Sequence, residues 1–208
     1  DSAAQWLQMT WMFFYDKKKW TQPRIRSFLK AVPDNKLILL DYYCDHTEIW
    51  RNTEKYYGNP YIWCYLGNFG GNTMIAGNLN DIDFKIKRLF KEGGDNVYGL
   101  GATLEGFDVN PLMYEFVFDQ AWDYSVTTDQ WITNWSMCRG GNQDVNIIKA
   151  WRALHQKIYT EHATCGQSVL MNARPRLTGT KSWNTNPGIH YANNDLWQIW
   201  KELLKARN

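Results

Sequence analysis

Short apolar runs alternate with amphipathic stretches through the first half of the chain, and this alternation restricts the fold more than any other feature. "QWLQMTWMFF", "KLILLDYY", "PYIWCYL" and "NVYGLGATL" are rich in β-branched and aromatic residues. Each reads as a strand of a parallel sheet, buried on both faces. The pattern predicts strands over Trp6–Thr10, Leu37–Leu40, Tyr61–Leu66 and Val97–Ala102, adjacent and parallel in that order. Helical stretches lie between them. "TQPRIRSFLKAV" has a Thr cap and an early Pro. "HTEIWRNTEKYYG" ends on Gly, and "NDIDFKIKRLFKEGG" carries its cations late, as a helix dipole favours. The strand starts recur roughly 25 to 35 residues apart, the spacing of β/α units.

The second half changes character. "NPLMYEFVFDQAW", "TTDQWITNWSM", "DVNIIKAWRALHQKIY" and "NNDLWQIWKELLKA" read as helices, with a long irregular stretch from Ala163 to Ala192 before the last. A closed β/α barrel needs eight strands and about 250 residues. Only four strands are predicted here, in a chain of 208 residues that opens on a strand without a leader and stops in a helix without a terminator. The expected architecture is α/β: the C-terminal half of a (β/α)8 barrel over residues 1–124, then a helical segment over 125–208 that leads into an all-α region.

In β/α folds chemistry gathers at the carboxyl ends of the strands. The residues expected there are Trp11 and Tyr15 after the first strand, and Asp41, Cys44, Asp45 and His46 after the second. After the third comes "LGNFGGNT", with Asn68, Gly70, Gly71 and Asn72, and after the fourth come Glu105 and Asn110. Amides, carboxylates and aromatic faces on one rim suit a polyhydroxylated ligand. "NFGGN" is neither GxGxxG nor a P-loop. It reads equally as a tight turn or as backbone that lets a ligand approach closely. Glu105 has no basic neighbour in sequence, and the N-cap role before Pro111 falls to Asp108 and Asn110. The choice for Glu105 is between a surface acid and a catalytic carboxylate. Glycoside hydrolysis needs a second carboxylate, and Asp41, Asp45 and Glu48 are the candidates within the chain. A nucleophile here must be ionised, so Asn and Tyr side chains from neighbouring strands are expected to donate hydrogen bonds to it.

Composition excludes several alternatives. The net charge of +2 makes no field for nucleic acid, and no apolar run approaches the roughly 18 residues that span a bilayer. The 12 Trp, 12 Tyr and 9 Phe mostly fill the core, with the remainder free to stack on sugar rings. Cys44, Cys64, Cys138 and Cys165 form no CxxC pair and read as buried thiols. His155 and His162 are expected on one helical face with Trp151 and Tyr159, as packing or solvated residues. A metal site of Asp41, Asp45 and His46 is the alternative that these residue types allow. Asn134-Trp135-Ser136 is a glycosylation sequon, of consequence only in a eukaryotic source.

Three segments carry a resemblance: "QWLQMTWMFFYDKKKWTQPRIRSFLKAVPDNKLILLD", "PYIWCYLGNFGGNT" and "GATLEGFDVNPLMYE". Together they resemble the α-N-acetylglucosaminidases of glycoside hydrolase family 89, over almost the whole chain, with phrasing closer to bacterial members. The resemblance implies a retaining exo-glycosidase that releases terminal non-reducing α-linked N-acetylglucosamine and needs neither metal nor organic cofactor. It implies a multidomain parent with a central (β/α)8 barrel and a helical C-terminal region. The nucleophile carried over is the Glu of "LEG", Glu105, and the substrate-binding set is Trp11, Trp63, Asn68, Asn72, Asn110 and Tyr114. The family's acid/base Glu lies in an Asn-Glu motif, and that dipeptide does not occur in this chain. The expected partners are therefore a glycan ending in α-N-acetylglucosamine and the missing N-terminal half of the same polypeptide, with no nucleic acid and no membrane span. The implied compartment is secreted or periplasmic for a bacterial source and lysosomal for a eukaryotic one. A non-catalytic carbohydrate-binding β/α protein is the alternative for the chain by itself.

Overall fold

The computed structural model describes residues 3–33, 36–67, 75–106, 110–141, 143–162 and 189–206. Four strands, β1 (Trp6–Met9), β2 (Leu37–Asp41), β3 (Tyr61–Tyr65) and β5 (Val97–Ala102), form one parallel sheet in the order β1-β2-β3-β5. Leu7 lies beside Ile38, Asp41 beside Trp63, and Trp63 beside Leu100. The predicted order and direction are as observed.

Burial along these strands is one-sided. Leu37, Leu39 and Asp41 of β2 are buried while Ile38 and Leu40 are half-covered, and Tyr61, Trp63 and Tyr65 of β3 are buried while on its other face Ile62 is half-covered and only the small Cys64 is buried. Because side chains alternate across a strand, one face is sealed and the other is partly open. The edge strand β1 is more exposed still, with Trp6 at 66%, Leu7 at 65% and Met9 at 50%. The expectation of burial on both faces is corrected here. The apolar runs are real, but within these residues only one layer of helices covers them.

That layer is built from three local solutions. Helix α1 (Trp11–Tyr15) follows β1 directly, and α2 (Gln22–Lys30) starts after an extended Thr21 with Pro23 in its first turn. Ile25 and Leu29, one turn apart, are the buried residues of α2. Helix α3 (Leu79–Glu92) is capped by the Asn78 side chain, which accepts from the Asp81 N–H at 3.0 Å. It buries Leu79, Ile82, Ile86 and Leu89 at helical spacing.

The segment after β2 departs from the predicted helix. It forms two short 3₁₀ turns, Ile49–Asn52 and Lys55–Gly58. The buried Asp41 carboxylate accepts the N–H groups of Ile49 at 3.3 Å and Trp50 at 3.0 Å, which pulls the start of the segment onto the strand end. Glu54, Lys55, Tyr56 and Tyr57 then take left-handed backbone. Such φ values are costly for L-residues. Here they are held by the buried Tyr56 ring and by the Asn96 amide, which donates to Lys55 O at 2.8 Å and to Asn59 O at 2.6 Å.

The helical region comprises α4 (Pro111–Gln120), α5 (Thr128–Gly140), α6 (Val145–Lys157) and α7 (Asn193–Lys205). Helix α4 is buried almost all round, which places it between the sheet layer and the later helices. A capping box of Thr127 and Gln130 opens α5, and Asp144 caps α6. A short antiparallel pair, β4 (Gly77–Asn78) with β6 (Thr160–Glu161), fastens this region to the base of α3. The Asn78 side chain donates to Thr160 O at 2.7 Å, and His162 Nε2 meets Asp81 Oδ2 at 2.6 Å. His155 Nε2 meets Asn80 Oδ1 at 2.9 Å. The expected shared helical face of His155 and His162 is corrected: α6 ends at Lys157, so Tyr159 and His162 lie beyond it. Cys44 and Cys64 are buried as expected, but Cys138 is exposed on α5, and Cys165 lies outside the described residues. The long stretch predicted from Ala163 to Ala192 lies mostly outside them as well.

Candidate active site

The carboxyl ends of the strands are tied together by two threonines. Thr10, fully buried just past β1, donates through Oγ1 to Leu40 O at 3.0 Å and approaches Asp41 Oδ1 at 3.4 Å. The same oxygen accepts from the Tyr42 N–H at 3.4 Å. Thr103, just past β5, donates through Oγ1 to Tyr42 O at 2.7 Å, and its N–H reaches Tyr65 O at 3.0 Å. The peptide groups of Tyr42 are thereby clamped from both sides of the sheet.

Above this clamp sit the rim groups, half-buried Trp11 and Tyr42 with exposed Tyr15 and Glu105. Trp11 opens α1, and its ring lies 5.6 Å from that of Tyr42 and 5.7 Å from that of Tyr43. Tyr15, the other aromatic expected here, stacks on Trp11 at 6.2 Å. Glu105 is exposed just past β5, and the Tyr42 hydroxyl donates to its Oε1 at 2.6 Å. The chain thus brings Trp11, from the first β/α unit, and Glu105, from the last, to one rim, with Tyr42 touching both. A tyrosine donates to Glu105 as expected, but it follows β2, which β3 separates from β5, rather than a neighbouring strand. Burial, together with the neighbouring Glu105 carboxylate, pushes the Tyr42 hydroxyl's pKa well above the ordinary tyrosine range, so it stays a donor.

The carboxylates after β2 are committed elsewhere. Asp41 is fully buried beneath the rim, and desolvation pushes its pKa up to about 6 against the pull of the Trp50 and Ile49 N–H groups. Asp45 accepts from the N–H groups of Leu66 at 3.1 Å and Gly67 at 3.2 Å, anchoring the chain where it leaves β3. Glu48 is buried against the indole N–H of Trp50 at 3.1 Å and that of Trp63 at 3.0 Å, and it is paired with Arg88. His46 stacks on Tyr43 at 4.4 Å. The metal alternative therefore has little to stand on: among the described residues no three potential ligands converge.

Of the substrate-binding set, Trp11 lies on the rim, while Asn68 and Asn72 lie outside the described residues. Trp63 is corrected. It is fully buried on the helix-covered face and spends its indole N–H on Glu48. Its parity in β3 is that of Tyr61 and Tyr65, which a strict alternation count would have shown. Tyr114 is corrected likewise: it is buried against Tyr65 and donates to Leu66 O, propping the end of β3 from below. Asn110 stands at the N-cap of α4, yet its side chain caps nothing and instead exchanges hydrogen bonds with the Tyr159 hydroxyl at 2.8 and 3.1 Å. Tyr42 was missed as an individual residue. Its signal was available, since it is one residue past Asp41 and so faces opposite to it.

Comparison with known proteins agrees with this architecture. Residues 1–124 match the family described as the Alpha-N-acetylglucosaminidase (NAGLU) tim-barrel domain, and residues 131–208 match the NAGLU C-terminal domain. Human Alpha-N-acetylglucosaminidase is 29% identical over 210 residues, covering 99% of this chain and 28% of that protein. A Family 89 Glycoside Hydrolase from Clostridium perfringens, solved in complex with PUGNAc, superposes with a TM-score of 0.80 at 23% identity, covering 99% of this chain and 23% of that one. The Clostridium perfringens protein CpGH89, carrying two glutamate-to-glutamine substitutions and bound to its substrate GlcNAc-alpha-1,4-galactose, superposes with a TM-score of 0.79 at 22% identity, over the same shares of each chain. The chain spans about a quarter of the length of these relatives. A parallel sheet with its helices and a following helical region, matched over most of its length by both domains of one hydrolase family, make this chain a member of the alpha-N-acetylglucosaminidase (NAGLU) family.

Proposed function

We propose that the protein containing this chain is a retaining exo-α-N-acetylglucosaminidase in which Glu105 is the nucleophile. The chain supplies the C-terminal half of the barrel over residues 1–124 and the start of the helical region over 125–208. The observation that carries this reading is the rim itself: an exposed carboxylate just past a strand, gripped by a tyrosine that also packs on Trp11. A rigid strand end projects the carboxylate, and the aromatic ring beside it can take the C–H face of a pyranose.

The chemistry of the substrate explains why a protein carboxylate is needed. In an α-linked N-acetylglucosaminide the acetamido group and the leaving oxygen are cis. The acetamido oxygen cannot reach the back of the anomeric carbon, so retention by neighbouring-group attack is closed. A carboxylate must attack instead, with a second carboxyl group, at about 5 to 5.5 Å, protonating the leaving oxygen and later activating water. Asp41, Asp45 and Glu48 are each bound up in the fold, which supports an acid/base residue outside this chain. The CpGH89 variant solved with its substrate has two glutamates replaced, the number that this mechanism requires. Trp11, Asn68 and Asn72 are the proposed sugar contacts, and no step calls for a metal or organic cofactor. Terminal glycans lie outside the cytoplasm, which supports a secreted or periplasmic enzyme.

The test uses the intact parent protein and an aryl α-N-acetylglucosaminide. Glu105→Gln should lower kcat by about 10³-fold or more. Proton NMR of the first product should show the α-anomer. Near-wild-type turnover by this variant would sink the assignment.

A further inference from the structure

Among the described residues Tyr42 touches both Trp11 and Glu105, and its placement says what it does in the reaction. This inference rests on Glu105 being the nucleophile. The Tyr42 peptide groups are held by Thr10 and Thr103, and its ring packs at 5.6 Å from Trp11, so the direction of its hydroxyl is set before any ligand arrives. The hydroxyl meets Glu105 Oε1 at 2.6 Å, a short, charge-assisted geometry. We propose that Tyr42 is a positioning residue for Glu105, orienting its carboxylate and stabilising the charge that returns to it when the glycosyl ester breaks.

The two steps use this bond differently. In the first, a Glu105 oxygen forms a bond to the anomeric carbon while the glycosidic C–O bond breaks, and the leaving oxygen takes a proton from the acid outside this chain. The carboxylate loses its charge here, so donation from Tyr42 gives orientation but no net electrostatic gain. In the second, water attacks the anomeric carbon, gives up a proton to the same external base, and the ester bond breaks. Its electron pair returns to the Glu105 carboxylate, and the Tyr42 hydrogen bond strengthens as it does so. A donor of this kind therefore favours the second step over the first.

The experiment is Tyr42→Phe in the parent protein, which removes the hydroxyl and keeps the ring against Trp11. With an activated aryl leaving group, kcat should fall by about 10- to 100-fold. KM should fall with it, and kcat/KM should change much less. Intact-protein mass spectrometry at steady state should show the variant loaded with one N-acetylglucosaminyl group where the wild type is not. A residue that only supported the fold would lower thermal stability and would not accumulate this adduct. Unchanged kinetics, or a parallel fall in kcat and kcat/KM without adduct, would overturn the proposal. Trapping the wild type with a fluorinated N-acetylglucosaminyl fluoride and mapping the labelled peptide separates the two readings. A label away from Glu105 removes the nucleophile assignment. A label on Glu105 without accumulation in Tyr42→Phe removes only the role of Tyr42.

Discussion

Asp41 shows how one buried carboxylate can organise a strand end from beneath the rim. The backbone N–H groups of Trp50 and Ile49 point at it, yet burial outweighs them and lifts its pKa to about 6. The folded form therefore holds a proton more tightly than the unfolded chain, whose carboxyl has the ordinary value near 3.9. The sign follows from linkage. This group favours the fold fully below the unfolded pKa, and that contribution is lost as pH rises through the folded value. Asp41→Asn is uncharged throughout, so its stability relative to wild type should rise between pH 4 and pH 7.5, by about 3 kcal/mol at most. Denaturant unfolding of both proteins at the two pH values checks this, since groups elsewhere cancel in the comparison. A pH-independent difference would mean that folding does not shift the titration of Asp41.

The elements of the sheet were legible because runs of four to six apolar residues between turn signals leave few alternatives to strands. Helices α2, α3, α4, α5, α6 and α7 were legible for the same reason at a different period. The segment after β2 was not, because its backbone answers to Asp41, a residue outside the segment. Burial was misjudged on β1, since composition cannot say whether a neighbour is present. The burial of Trp63 follows from its parity in β3, which puts it with Tyr61 and Tyr65 on the helix side, and residue type alone does not show that. Tight contact between strands gives a further test. A Cβ added at Gly101 would stand 2.8 Å from Ile62 Cγ2, on the face opposite Trp63. Gly101→Ala should destabilise the protein by about 1 to 3 kcal/mol. Adding Ile62→Ala should make the double variant more stable than the two single losses would sum to, by about 0.5 kcal/mol or more. Strict additivity in thermal unfolding would mean that these residues do not meet.

At the scale of the whole molecule, a sheet sealed on one face and a helical region are fastened at the base of α3 by the two-residue pair β4–β6. The fastening joins residues far apart in the chain, since Asn78 reaches Thr160, 82 positions later. Closing a loop of that length costs about 4 kcal/mol in chain entropy before any contact is gained. On a ribosome, then, Gly77 and Asn78 have no strand partner until Glu161 has emerged, although β1, β2, β3 and β5 already have theirs. Nascent chains of the parent, arrested so that this region ends outside the tunnel at either Tyr159 or Ala192, should differ in protease resistance around Gly77. Equal resistance would show that the base of α3 closes without its distant strand. The order has a consequence for the rim. β4 follows β3 in sequence, and its strand partner β6 is translated long after it. On the proposed function, substitutions in the helical region can therefore reach the carboxyl-end rim through the order of synthesis as well as through structure.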